Sequence, residues 1–273
     1  MKVKPRVIAL NLAVAFIALM VLFPLAWMVS VSFMQTGEAA NFPPPLLLAH
    51  WTLEHYRTLF VTQGMGRYLW NSFALATLAT ILALGFTVPA GYAFAKLKFA
   101  GRDRLFQLLI GALVIPAQIG TLPLFLMLKG MGLVNTYAGA LVPWLASIFG
   151  LFLVRQYALS IPDEMLEAAR VDGATEGQIF RRVVLPTMQP IIVTLGLFVF
   201  LGSWNDFLWP LIILTDQSNY TLPVALAAMS REHVQDIEMM MAGSVITVAP
   251  VLILFLALQR YYIRGMLAGS VKG

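Results

Sequence analysis

Six stretches of this chain are apolar for long enough to cross a lipid bilayer, and no other feature limits its fold so strongly. They lie at 7–33, 69–94, 105–128, 137–154, 191–214 and 243–258. A helical span needs about 20 largely apolar residues. Inside lipid the backbone must satisfy its own polar groups, so a spanning segment is a helix or part of a closed barrel. Long unbroken apolar runs, rather than short alternating ones, select the helix. The expected fold is an all-α membrane protein with six transmembrane helices in a single domain covering 1–273. Composition agrees: 60% of residues are hydrophobic and only 11% charged, whereas soluble domains carry about 25% charge. The first run follows Lys2, Lys4 and Arg6 as a signal peptide would, but it is too long for a signal core and no small-x-small cleavage site follows. It reads as an uncleaved anchor.

The loops carry the charge asymmetrically. With the N-terminus inside, 14 of the 18 Lys and Arg fall in inner segments, and only Arg57, Arg67, Lys129 and Arg231 lie outside. Basic residues accumulate on the cytoplasmic side, so both termini are expected there. The net charge of +5 then describes an inner face set against anionic lipid rather than a nucleic-acid surface. The absence of cysteine removes disulfides, thiolate metal sites and cysteine nucleophiles. Prolines 24, 89, 116, 123, 143, 210 and 250 punctuate the runs and are expected to kink them. No Gly-x3-Gly pair falls inside a span.

Two segments between runs are too long for simple connections. The outer segment 34–68 holds Pro43-Pro44-Pro45, which favours an extended arm. Trp51 and Tyr56 follow and suit the headgroup layer, so a short interfacial helix is expected after the arm. The inner segment 155–190 reads as two short helices with a sharp bend. Ser160 and Pro162 open the first, with Asp163 and Glu164 in its first turn, where the helix dipole favours anions. Gly173 can stop it in the left-handed conformation. Thr175 and Gln178 are spaced as a capping box for the second, and Pro186 is expected to end it. Small residues at the bend leave a surface that another protein can approach closely.

That inner segment resembles the EAA-x3-G-x9-I-x-LP signature of ABC importer permeases of the binding-protein-dependent type. Glu167-Ala168-Ala169 precede Gly173 by the family's interval, Val183 stands where the pattern has isoleucine, and Leu185-Pro186 close it. Further stretches are similar to the carbohydrate branch of that family: Asn71-Ser72, AGYAFA at 90–95, the basic turn after it, Pro116, Pro123 and GLVNT at 132–136. SWNDFLWP at 203–210, QRYYIRG at 259–265 and AGSVKG at 268–273 complete the set. The combination looks like the maltose-type second permease (MalG-like). The glycerol-3-phosphate importers share the pattern, so a polyol remains the alternative to a maltose-like sugar.

The resemblance implies a type I importer complex. A second, related permease would complete the pore as a heterodimer. Two ATPase subunits would bind ATP and magnesium, and a solute-binding protein would deliver the solute from outside. Glu167, Ala168, Ala169, Asp172, Gly173, Leu185 and Pro186 are then the candidates for coupling to an ATPase subunit, with the tail 264–273 reaching toward the ATPase interface. The outer segment 215–242, with Asn219, Tyr220 and Thr221, matches the loop that engages the binding protein; Glu232, Asp236 and Glu238 are expected to face outward from it.

The chain is expected to be a pore-forming subunit and not an enzyme. It has no phosphate-binding G-x-x-x-x-G-K-[ST] loop, so the energy must come from a partner or an ion gradient. An ion-coupled carrier would place ionisable groups deep in the membrane, and Asp206 is the clear candidate in the runs. It lies roughly 23 Å beyond Pro190 at the helical rise. Trp204, Asn205, Asp206 and Trp209 form the candidate substrate path, the indoles offering faces to a sugar ring. Asp206 capping a neighbouring helix is the competing structural role. His50, His55 and His233 share no metal-ligand spacing and read as solvated loop histidines. Met239–Met241 reads as flexible packing at a helix start. No cofactor and no metal are expected in this chain.

Overall fold

The computed structural model describes residues 5–41, 51–232 and 236–270. It is helical, with no strand among the described residues. Among the described residues, three helices are long and apolar enough to cross a membrane, and up to six crossings arise if each bent helix pair is one span. The chain divides into two compact units, 1–69 with 222–252 and 70–221 with 253–273; helices α3 (Met65–Lys96) and α14 (Ile237–Ser270) contribute to both.

In the first unit, α1 (Pro5–Val31) realises the first run and exposes Leu12, Phe16, Leu19 and Phe23. A helix apolar on every side, with its most apolar stretch unburied, is made for lipid or for another membrane helix. The chain then packs Val31, Met34 and Ala39 against Trp27 and Met241. The expected interfacial helix is α2 (Glu54–Val61). Trp51 before it is 72% exposed. Tyr56 differs from expectation: its hydroxyl shares a 2.7 Å hydrogen bond with Ser32 Oγ and its ring lies 5.2 Å from Phe33, so it faces the chain instead of a headgroup layer. His55 is not solvated. It is buried, with Nε2 2.9 Å from the Met34 carbonyl oxygen and Nδ1 3.8 Å from Asp236. His50, His233 and Pro43–Pro45 lie outside the described residues.

The expected polar outer segment 215–242 is mostly helix. α13 (Leu222–Glu232) buries Leu222, Val224, Ala225 and Met229 along one side. Asp236 caps α14 by accepting a hydrogen bond from Met239 N at 2.8 Å. Glu238 does not face outward: it is 1% exposed and accepts from Ala39 N at 2.8 Å. Asp236 meets an unpaired N–H of the helix start and Glu238 a turn amide far away in sequence, partners that a hydropathy reading cannot register. Met239 is buried and Met240 half-buried at the same helix start.

In the second unit the runs are broken where proline forbids continuation. The run 105–128 becomes α4 (Arg102–Ala112), a 3-10 turn (Ala117–Gly120) and α5 (Thr121–Gly130), bent by 93°. Pro116 has no N–H and pushes Ile115 out of the helical region. The run 137–154 becomes α6 (Tyr137–Leu141) and α7 (Ile148–Leu159), bent by 45° around the turn holding Pro143. The run 191–214 ends early: α11 (Gln189–Trp204) stops, and α12 (Leu208–Ile213) restarts after three residues. Pro123, Pro190 and Pro210 all sit in the first turns of restarted helices, where the missing N–H costs nothing. Pro24, Pro89 and Pro250 lie inside continuous helices.

Candidate functional site

The segment 155–190 is built as its capping signals dictate, up to its last turn. α8 (Asp163–Val171) ends in two hydrogen bonds, Ala174 N to Ala169 O and Gly173 N to Arg170 O, both 3.0 Å. This paired pattern is a Schellman ending, which needs a left-handed residue; Gly173 supplies it with φ +81°. Thr175 and Gln178 form the reciprocal capping box of α9 (Glu176–Ile179). Pro186 does not end this second helix. A π turn (Phe180–Val184) precedes it, with Leu185 N bonding Phe180 O, and α10 (Leu185–Thr187) runs through it. The wider turn relieves the clash between a proline ring and the carbonyl four residues back. The direction changes at Met188 instead, by 77°.

The loop is held to its own unit at several points. Lys96, at the end of α3, donates at 2.6 Å to both the Ile161 carbonyl and the Asp163 carboxylate. The lysine hydrogen bond holds the Asp163 carboxyl below its ordinary range. Arg170 and Glu176 close the bend with a 2.7 Å ion pair, and that hydrogen bond holds the Glu176 carboxyl low as well. Tyr92 Oη reaches Glu176 at 3.3 Å while its ring packs on Phe180. Ile161, Leu166, Ile179, Val184 and Met188 enter the same core as Tyr92, Ala95 and Val154. The loop is therefore a braced extension of this unit.

What the bracing leaves outside is a surface. Met165 is 43% and Val171 87% exposed, beside exposed Glu164, Glu167, Ala168 and Asp172. Ala169 and Leu185 are half-buried against the core, and Gly173 and Pro186 are exposed. Glu167 hydrogen-bonds no other described residue; the capping at the bend is supplied by Thr175 and Gln178. Exposed apolar side chains interspersed with carboxylates on a rigid helix suit a partner surface with apolar hollows and basic groups.

The second group centres on the break between α11 and α12. Asp206 accepts from Trp209 N at 3.4 Å and so caps α12, and the Trp144 side chain donates to it. It also borders a cavity of about 380 Å³ lined by Gln118, Thr121, Pro143, Leu208 and Trp209 among others. Gln118 and Thr121 were not singled out from sequence; their place at the break of the third run brings them here. Asn205 is exposed and donates to Leu201 O at 2.8 Å. The two indoles are not open faces. Trp204 is 1% exposed and stacked on Phe200 at 6.0 Å, and Trp209 is 7% exposed with its Nε1 donating to Gly139 O at 3.2 Å. In this conformation Trp204 holds the end of α11 and offers no surface to a ligand.

The third group fixes the segment 214–221. Asn71 donates to the carbonyls of Ser218 and Tyr220 at 2.9 and 3.0 Å and accepts from Tyr137 Oη. Asn135, held at φ +60°, accepts through Oδ1 from Thr215 N, Asp216 N and Asn219 Nδ2. Asn219 and Tyr220 are thus latched from two sides, and Thr221 is buried. Both asparagines lie in the family-like stretches Asn71-Ser72 and GLVNT at 132–136.

A helical membrane protein with broken spans and a braced helix–bend–helix loop has the architecture of an importer permease. The chain aligns with a bacterial ABC transporter chain involved in alginate import at TM-score 0.84 and 24% identity, covering 96% of this chain and 99% of that one. It aligns with the bacterial alginate transporter in complex with an oligosaccharide-bound periplasmic protein at TM-score 0.65 and 17% identity, over 92% and 91% of the two chains. In sequence, residues 87–268 match the profile of the "binding-protein-dependent transport system inner membrane component". The chain belongs to this family. It is 38% identical to the arabinooligosaccharide transport permease AraQ of Halalkalibacterium halodurans, over 97% of this chain and 96% of the relative. It is 30% identical to the lactose transport permease LacG of Rhizobium radiobacter, over 93% and 92%.

Proposed function

We propose that this chain forms half of the pore of an ATP-driven importer of a sugar or oligosaccharide in the maltose size range. The observation that carries the reading is the braced loop 155–190. Its bracing through Lys96, Arg170 and Tyr92 lets a push on α8 reach the end of α3 and α11 instead of dissipating in the loop. Glu167, Ala168, Asp172 and the exposed Val171 make the contact with an ATPase subunit, while Ala169, Gly173, Leu185 and Pro186 hold its angle. ATP and magnesium belong to that partner. A second permease lies across the pore, and a solute-binding protein docks on the far side, near Asn219, Tyr220 and Thr221. The names of the relatives, an arabinooligosaccharide and a lactose permease among them, favour a carbohydrate over a polyol phosphate.

The sugar passes the cavity beside Asp206, where Asp206, Gln118 and Thr121 offer hydrogen-bonding groups and Trp209 an apolar wall. Such a mixed lining suits a ligand with many hydroxyls and apolar ring faces. The test is uptake by the assembled complex in liposomes with labelled arabino-oligosaccharide, lactose, maltose and glycerol-3-phosphate. Uptake of one sugar that needs ATP and binding protein, and that Asp206→Asn lowers about tenfold, is expected. Uptake stopped by an uncoupler but not by ATP removal would replace this reading with an ion-coupled carrier.

A further inference from the structure

The connection between α3 and α4 surrounds an open cleft of about 550 Å³ lined by Lys98, Phe99, Gly101, Arg102, Asp103 and Arg104. Three cations there face one carboxylate. Arg102 is committed: it pairs with Asp103 at 2.9 and 3.4 Å and donates to Leu97 O at 3.3 Å. This pairing cancels the carboxylate. The nearby Arg155 is also committed, lying 4.1 Å over the Phe106 ring and donating to Phe94 O. Lys98 and Arg104 are exposed and bond no other described residue. Lys98 acts on the Asp163 carboxylate only through space, without a hydrogen bond, so both cations keep their hydrogen-bond donors available at the mouth of a hollow large enough for a phosphodiester.

Apolar surface continues from the same place. Phe99 is 42%, Leu105 47% and Leu108 70% exposed, the two leucines on α4 directly after the basic residues. A soluble anion has no use for such a surface, whereas a lipid needs both cations and apolar contact. We propose that this cleft is a binding site for an anionic phospholipid, with Lys98 and Arg104 as ligands of the headgroup phosphate. Phe99, Leu105 and Leu108 are the surface for its acyl chains. The site does not depend on what the protein transports.

The test is native mass spectrometry of the whole complex taken from nanodiscs of phosphatidylcholine with a minor share of phosphatidylglycerol. Phosphatidylglycerol should stay bound in preference to phosphatidylcholine. The double variant Lys98→Gln/Arg104→Gln should lower its retention on the order of tenfold, given the attraction of each basic residue to an anionic surface. Lys98→Arg/Arg104→Lys, which keeps the charge, should retain it, as should the control Arg57→Gln/Lys129→Gln. Unchanged retention in the double glutamine variant, or equal retention of the two lipids, overturns the proposal. Displacement of the lipid by millimolar inorganic phosphate also overturns it, since the cleft would then be a site for a soluble anion.

Discussion

Two glycines make the residue scale testable because they are required for different reasons. Gly173 sits at φ +81° with nothing within 4 Å of the position a Cβ would take. A side chain there meets backbone strain only, roughly 1–3 kcal/mol. Gly173→Val should insert normally but lower uptake per ATP, and Gly173→Asn should lower it less, because asparagine tolerates the left-handed region. Equal coupling in both variants would sever the bend from transport. Gly91 is the opposite case. A Cβ on it would lie 2.3 Å from Val154 Cγ1 and 3.2 Å from Arg155 N. Gly91→Ala should destabilise by about 1–3 kcal/mol through overpacking, and adding Val154→Ala should recover part of that. Thermal melting of the solubilised protein measures both. The conformation of Gly173 could be read from its place after a periodic run, whereas the need for Gly91 could not, because it depends on a helix more than 50 residues away.

At the scale of elements, braces between helices decide behaviour that capping signals alone do not. Lys96 counted, from sequence, as one more inner positive charge; in the structure its buried ammonium joins α3 to the start of α8. Lys96→Met should raise hydrogen exchange across 161–172 while leaving the spans protected. The Asp163 carboxyl is depressed by this contact, so its stabilisation is complete above the ordinary carboxylate range and fades as pH falls through the lower folded value. Exchange of the loop, taken relative to the intrinsic amide rate at each pH, should accordingly be flat from neutral pH down to the carboxylate range and rise below it, and Asp163→Asn should remove that rise. A rise that persists in the variant assigns it to other carboxylates. Asn135 makes a comparable brace for 214–221. Asn135→Ala leaves the exposed Thr215 and Asp216 amides to water in place of their side-chain acceptor and should open that segment to protease, at about 0.5–1.5 kcal/mol for each hydrogen bond lost.

For the whole molecule, the charge distribution predicts a topology that chemistry can check cleanly because the chain has no cysteine of its own. A single cysteine at Trp51, which is 72% exposed, should react with a membrane-impermeant maleimide in intact cells. One at Gln178, on the exposed face of the loop, should react only after the membrane is opened. The reverse pattern would invert the chain and place the loop on the wrong side for any ATPase. Family membership extends to most of the chain, yet the number of crossings rests on whether each bent pair traverses the bilayer as one unit, and the same labelling scheme placed at the exposed Gly130 and Gln189 measures that.

Hydropathy and capping patterns by themselves determined the helical membrane class, the long first helix and the helix–bend–helix loop, because each depends on residues a few positions apart. The Schellman glycine, the capping box and the family signature are all local. Tertiary structure decided what depends on distant neighbours. Glu238 is buried because Ala39 N lies within reach, His55 because the Met34 carbonyl does. Pro186 is carried inside a helix by a π turn upstream. Trp204 is closed to ligands by Phe200, and Gln118 lines one cavity with Asp206 where one run bends after Pro116 and another breaks. An apolar run specifies that a segment leaves water; where it breaks, and which polar groups gather at the break, is set by packing partners that no local pattern encodes.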